Sequence, residues 1–281
     1  MDRLRTSLLL MGGEGNIPAY DAFASSIVHA YEPARRVLSS YTGSLVRLRR
    51  DSDDAEADFG YTSNNDLDTA AIASWLGAAT GYVVTIYDQA PAGDDATQAV
   101  AADQPPYAAT VQNGHAGIDP GDDYLQGAFT TGGALSQPFG VFVAAALAAD
   151  DENSDDADRY MMDGDDGTNR MIVRKWTTPD PDAFNLYAGN NLTSSNAADD
   201  NWNIWSVLFS GASSQFWING VSQASGDAGT NNPDGITIGS KWDGLLPWLG
   251  TIGSIVICDP SLSDAARQSM EAAMNAYWGA Y

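Results

Sequence analysis

The chain has 281 residues, 44% of them apolar and 10% aromatic, and a formal net charge of −24 from 37 acidic against 13 basic residues. That length suits one large domain or two small ones with a sizeable core. The charge argues against a nucleic-acid partner, whose binding rests on basic side chains, and no apolar run nears the ~20 residues that cross a bilayer, so membrane insertion is not expected.

In chain order, residues 1–26 show no consistent period and read as an N-terminal arm that ties the subunit to a neighbour; residues 27–281 read as one domain. Leu8 to Met11 is too short for the core of a secretory signal, so none is expected. Residues 29–41 predict a helix, with Tyr31, Ala34, Val37, Leu38 and Tyr41 on one stripe and Pro33 in a first turn. Leu45 to Arg50 alternates like a strand. Asp66 or Asp68 can cap a second helix with Ala71, Ile72, Trp75 and Leu76 on its apolar face and Gly77 at its end. Tyr82 to Tyr87 predicts a strand, as do Phe139 to Leu147, Tyr160 to Met162, Arg170 to Lys175 and Phe184 to Tyr187.

The densest pattern lies at 202–258. Ile204 to Phe209 and Gln215 to Asn219 alternate with period two. Asn219-Gly220 predicts a tight hairpin turn, because both central positions need positive φ. Ile236 to Gly239 and Leu249 to Cys258 predict two further strands, and the single Cys258 reads as a small buried residue. Ser263 caps a last helix whose Leu262, Ala266, Met270, Ala273 and Tyr277 face one side. These elements predict a mainly β fold, an antiparallel sandwich with a few short helices.

Two resemblances sharpen that reading. "FWINGV", "DGITIGS", "LGTIGSIVI" and "LSDAARQ" follow one another as in a laminin-G-like, concanavalin A-like jelly roll. "ARRVLSSYTGSLVRLRRDSDDAEADFG", "LDTAAIASWLG", "YVVTIYDQ", "DDATQAVAADQP" and "GIDPGDDYLQG" resemble, over roughly 30–130, the catalytic-type domain of glycoside hydrolase family 54, the arabinofuranosidase B family. The same module also resembles pieces of virus structural proteins. The family's nucleophile is a Glu on a mid-sandwich strand. The one Glu in that half here is Glu152, in an acidic loop. The family's acid follows an "IGG"-type strand end, where this chain has Lys241, with Asp243 two residues on. The family's adjacent Cys pair is absent. No catalytic residues are therefore assigned, and the expectation leans away from an enzyme.

Other chemistry is sparse. His29 and His115 are the only imidazoles and read as surface or capping residues. Asp163, Asp165, Asp166 and Asn169 surround Gly167 and form a candidate calcium loop, since oxygen ligands in a tight turn suit a hard cation. Trp242, Asp243 and Trp248, with Trp202 and Trp205 near Asp199 and Asp200, are candidates for a glycan-binding face. Glu occurs only at 14, 32, 56, 152 and 271 and Lys only at 175 and 241. This Asp-rich balance suits strong brine, where a Debye length of ~3 Å at 1 M salt screens self-repulsion. Together these features imply a non-enzymatic virion surface protein of a virus with a halophilic host. It would form a closed homo-oligomer, contact other virion proteins through the arm and hold a host glycan or glycoprotein. The alternatives are an arabinofuranosidase-like glycosidase acting on surface polysaccharide and a cellular laminin-G-type adhesion module.

Overall fold

In the computed structural model, which describes residues 17–149, 151, 157–178 and 182–281, the alternating stretches form eighteen strands. They are β1 (Ile27–Tyr31), β2 (Val46–Arg50), β3 (Glu56–Phe59), β4 (Gly81–Ile86), β5 (Ala96–Thr97), β6 (Tyr107–Gln112), β7 (His115–Ile118), β8 (Leu125–Ala128) and β9 (Phe139–Leu147). The second half adds β10 (Arg159–Asp163), β11 (Ile172–Trp176), β12 (Ala183–Tyr187), β13 (Asn191–Ala197), β14 (Asn203–Phe209), β15 (Ser214–Ile218), β16 (Val221–Gly226), β17 (Gly235–Ile238) and β18 (Gly250–Cys258). Two helices, α1 (Thr69–Leu76) and α2 (Asp264–Trp278), complete the regular structure with three short 3-10 turns.

The strands build two antiparallel sheets. One has eight strands in the order β16-β15-β14-β9-β18-β7-β6, with β1 also paired to β18; the other has ten, in the order β13-β12-β11-β10-β17-β8-β5-β4-β2-β3. The expected jelly-roll-like β-sandwich is borne out. The Asn219-Gly220 turn sits at φ 52° and 76° and joins β15 to β16 as expected.

Two apolar layers flank the eight-stranded sheet. Val141, Val143, Trp205, Val207, Ile255 and Ile257 point from it toward the ten-stranded sheet, meeting Leu48, Val83, Met162, Val173 and Ile236. The opposite side chains, Phe142, Ala144, Ile204, Val256 and Cys258, pack on Met270, Met274 and Trp278 of α2. With both faces covered, all nine residues of β9 are buried, so the strand reads as a continuous apolar run rather than an alternation. Cys258 is buried here as expected, and burial pushes its thiol up to about 12.

Two of these expectations need correction, and a third falls partly outside the described residues. Residues 29–41 are not a helix. The start of this stretch is β1, whose Ala30 and Tyr31 pair with Val256 and Ile255 of β18; sheet pairing outweighs the helical stripe, and Pro33 disfavours helical geometry at Glu32. The expected arm falls partly on residues 1–16, outside the described residues; beyond it the chain packs down, with Tyr20 fully buried and its amide donating to the Val37 carbonyl at 3.0 Å. The last helix is capped by Ser263 as expected, but it is turned from the expected face. It buries Arg267, Met270, Glu271, Met274 and Trp278. Arg267 and Glu271 can enter because they bond each other, and the Ser206 hydroxyl of β14 donates to Glu271.

That packing leaves no room at Gly253 of β18. A Cβ there would lie 2.6 Å from the Trp278 ring. Gly253→Ala is expected to cost about 1–3 kcal/mol through overpacking. Urea denaturation checks this; an unchanged midpoint would mean that Trp278 is not fixed against the sheet.

Candidate functional site on the ten-stranded sheet

Many outward side chains of the ten-stranded sheet are polar, because the second apolar core packs on the other sheet. Their register makes a continuous rung across seven strands. Arg47 of β2 stands opposite both Asp58 of β3 and Thr85 of β4. Thr85 faces Thr97 of β5, and Thr97 faces Gln126 of β8. Gln126 faces Thr237 of β17, which faces Asp163 of β10. A second rung runs Tyr160, Arg174, Asn185, Thr193 across β10 to β13. Thr97 is exposed and Gln126 half-buried.

Two loops roof the Asp163 end. The first is 164–170. Asp163 is fully buried and accepts from Arg170 Nη2 at 2.6 Å, from the Gly164 amide at 2.8 Å and from the Trp242 amide at 3.2 Å. Burial pushes its pKa up and outweighs the pull of Arg170. The Arg170 guanidinium lies 5.6 Å from the Tyr160 ring centre and 5.8 Å from that of Tyr187. The second loop, 239–248, folds back so that the Trp242 indole lies over Gly167. Gln126 pins the two loops together: the two N–H groups of its Nε2 are shared among the Asp165 carbonyl at 3.0 Å, Thr237 Oγ1 at 2.9 Å and the Trp242 carbonyl at 3.0 Å.

Two further acids here are shifted in opposite directions. Burial, then the neighbouring Asp234 carboxylate, raises the pKa of Asp165. One buried oxygen of each of these two carboxyls has no hydrogen-bond partner, and the Asp165 carboxyl is wedged against Gly235. Asp243 behaves oppositely. Partial burial works to raise it, but the hydrogen bond from Lys241 Nζ at 2.5 Å and one from the Leu245 amide at 3.3 Å hold it below the usual range. The result is one carboxyl disposed to keep its proton and one disposed to stay ionised, on two loops joined by Gln126.

The expected site residues divide accordingly. Trp242 and Asp243 are on this face. Trp205 and Trp248 are not platforms for a sugar: both are fully buried, edge to face at 6.4 Å, with the Trp248 indole N–H donating to the Ala146 carbonyl at 2.9 Å. Trp202 stacks on Trp278 at 5.2 Å, against α2. The calcium loop does not assemble. Asp163 turns to Arg170, Asp166 accepts from the Thr168 and Asn169 amides, and Asn169 donates to Asp234. Among the described residues no group of three His, Cys, Asp or Glu side chains could hold a metal ion.

Glu152 lies outside the described residues. His29 is not a surface residue: it is 2% exposed, bonds Asp88 at 2.9 Å and stacks on Phe129 at 4.0 Å. Sequence reading missed Gln126, Tyr160, Arg174, Asp234 and Thr237. Their signal was the outward parity of β8, β10, β11 and β17, legible only once the inner face is known.

The fold and site thus define a two-sheet antiparallel sandwich with a polar, aromatic-flanked outer face. Comparison makes the assignment specific. The family model described as alpha-L-arabinofuranosidase B, catalytic, matches residues 18–220, so the chain belongs to that family. A probable alpha-L-arabinofuranosidase B of Aspergillus fumigatus is 34% identical over 97 residues, covering 34% of this chain and 19% of that protein. An arabinofuranosidase crystallised with arabinofuranosyl-alpha-1,2-xylobiose superposes with a TM-score of 0.70 at 18% identity, covering 92% of this chain and 65% of that one. A family 54 α-L-arabinofuranosidase soaked with a cyclic sulfate inhibitor gives 0.68 at 17% identity, with the same coverage. The chain thus spans just under two thirds of the length of those enzymes and a fifth of the Aspergillus protein. Family membership across 18–220 overturns the expectation of a non-enzymatic virion surface protein and supports the glycosidase alternative. The lean away from an enzyme is not upheld, because the matched family is a catalytic domain.

Proposed function

We propose that the outer face of the ten-stranded sheet binds a polysaccharide bearing arabinofuranosyl units and hydrolyses their glycosidic bond, with Asp165 and Asp243 as the working carboxyls. A glycosidase of this kind needs one carboxyl that protonates the leaving oxygen and a second that stays charged to attack the sugar or activate water. Carboxyls whose surroundings drive their pKa values apart meet that need. Asp165, raised by burial and by Asp234, is the proton donor. Asp243, held ionised by Lys241, is the second group.

The rest of the face suits an uncharged sugar. Arg170 with Asp163, and Lys241 with Asp243, are closed ion pairs. They present donors and acceptors side by side with little net charge, which suits vicinal hydroxyls better than a polyanion. Tyr187 and Trp242 are half-buried aromatic walls.

The observation that carries the reading is the placement of Asp165, wedged against Gly235 with one buried oxygen unpartnered, and of Asp243, bonded by Lys241, on two loops that Gln126 joins. Purified protein incubated with 4-nitrophenyl α-L-arabinofuranoside is expected to release nitrophenol at a rate that Asp243→Asn abolishes. Saturable binding of the substrate with no release, or release untouched by that substitution, would end the proposal.

A further inference from the structure

A second cavity lies away from the sheet face. The β6–β7 turn, the C-terminal end of α2 and the stretches at 17–19, 35–36 and 64–66 enclose about 320 Å³. Arg35 and Arg36 both line it. Every other described Arg or Lys side chain holds a carboxylate oxygen within 3.2 Å. These two do not. The nearest carboxylate to Arg35 is Glu32, at 3.9 Å, and Arg35 Nε has no hydrogen-bond partner although Arg35 is 7% exposed. Arg36 has no described carboxylate at ion-pair distance; it donates to Asn65 Oδ1 at 2.9 Å and to the Tyr61 hydroxyl at 3.2 Å. In a chain of net charge −24, the two incompletely compensated guanidiniums share one hollow.

The walls are ordered by stacking. The Arg35 guanidinium lies 3.8 Å from the centre of the Tyr277 ring and the His115 ring 3.6 Å from it. Two groups so close to one centre must occupy opposite faces, so Arg35, Tyr277 and His115 form a stack. The Tyr277 hydroxyl donates to Asp66 at 3.2 Å, which leaves the other acceptor positions of that carboxylate for further donors. Burial lowers the pKa of His115; with one ring nitrogen bonded to the Tyr277 backbone, the neutral ring leaves the other to meet a ligand hydroxyl.

We infer that this cavity binds a single-ring sugar acid, with the carboxylate on Arg35 and Arg36 and the hydroxyls toward Asp66 and His115. A guanidinium can hold a carboxylate through two parallel N–H···O bonds. The Asp66 carboxylate requires the ligand to bring hydroxyl donors as well as charge. The volume is near the lower end of ligand pockets, ~300 Å³, which limits the ligand to about one ring. None of this depends on the hydrolysis proposed for the sheet face.

The test is calorimetric titration of the full chain with galacturonate, galactose and inorganic phosphate at constant ionic strength. Galacturonate is expected to bind saturably and at least tenfold more tightly than either of the others. Arg36→Ala is expected to weaken it at least tenfold. Should that variant fail to fold, Arg36→Lys keeps a charge without the planar fork and is still expected to weaken galacturonate severalfold. Equal affinity for galactose, phosphate binding as tight as galacturonate, or galacturonate binding unchanged in the folded Arg36 variant would overturn the assignment.

Discussion

Asp165→Asn is expected to slow hydrolysis of an arabinofuranosyl oligosaccharide by about 10²–10⁴-fold, the usual contribution of a positioned acid, yet to slow 4-nitrophenyl arabinofuranoside far less. The difference follows from the leaving groups. Nitrophenolate departs without a proton, whereas a sugar alkoxide does not. Asp243→Asn should slow both substrates, because both need the charged carboxyl. The pH dependence has a matching sign. Asp165 is raised, so activity falls on the alkaline side as that group loses its proton; Asp243 is lowered, so activity falls on the acid side as that group gains one. Asp165→Asn should remove the alkaline limb and leave the acid limb. Gly235→Ala tests the position of Asp165 without touching its charge. An added Cβ would lie 2.2–2.6 Å from atoms of the Asp165 carboxyl, which must then move. That variant should reproduce the substrate split of Asp165→Asn. Equal slowing of both substrates in Asp165→Asn would remove its role as the acid.

The contrast between these residues and the strands beneath them shows what sequence discloses. β9, β14 and the β15–β16 hairpin were legible because strand period and turn chemistry are local: Asn219 and Gly220 sit at the positive φ values that the turn type demands. The role of Trp205 was not. Its alternation gives a strand but not which face lies inward, and β14 is covered on both faces. The 29–41 stripe failed for a related reason. Tyr31 and Ala34 fall on one helical face, but the partner that decides the matter, β18, lies more than two hundred residues away. Asp243 was legible as a candidate because it follows the Ile238-Gly239 strand end, although the resemblance implies an acid there and the bond from Lys241 favours the ionised group. Asp165 was visible only as part of an acidic run; its partner Asp234 and its wedge against Gly235 come from a strand seventy residues downstream. In a chain with so many Asp residues, position in the fold is what separates one carboxyl from another.

Glu32→Gln is expected to flatten the stability of this protein between pH 4.5 and about 7. Glu32 is fully buried, and burial pushes its carboxyl up to about 7 against the opposing pull of Arg35. In the unfolded chain the same group ionises near 4.5. Below that pH both states hold the proton and folding is unaffected. Between the two values the unfolded chain has lost the proton and the folded one has not, so stability falls by about 1.4 kcal/mol per pH unit. Above the folded value both states are ionised and the loss stops, having reached about 3 kcal/mol. A raised acid thus stabilises least at high pH. Gln cannot ionise and removes this slope. Other shifted carboxyls, such as Asp123 at about 6 and the lowered Asp94, shape the curve of the native chain. They are common to both proteins and drop out of the difference. Urea denaturation of both at pH 4.5 and pH 8 gives that difference directly. The native chain should lose about 3 kcal/mol more than Glu32→Gln over the interval. Parallel losses in the two proteins would show that Glu32 ionises normally beside Arg35 and that the 3.9 Å pair is a full ion pair.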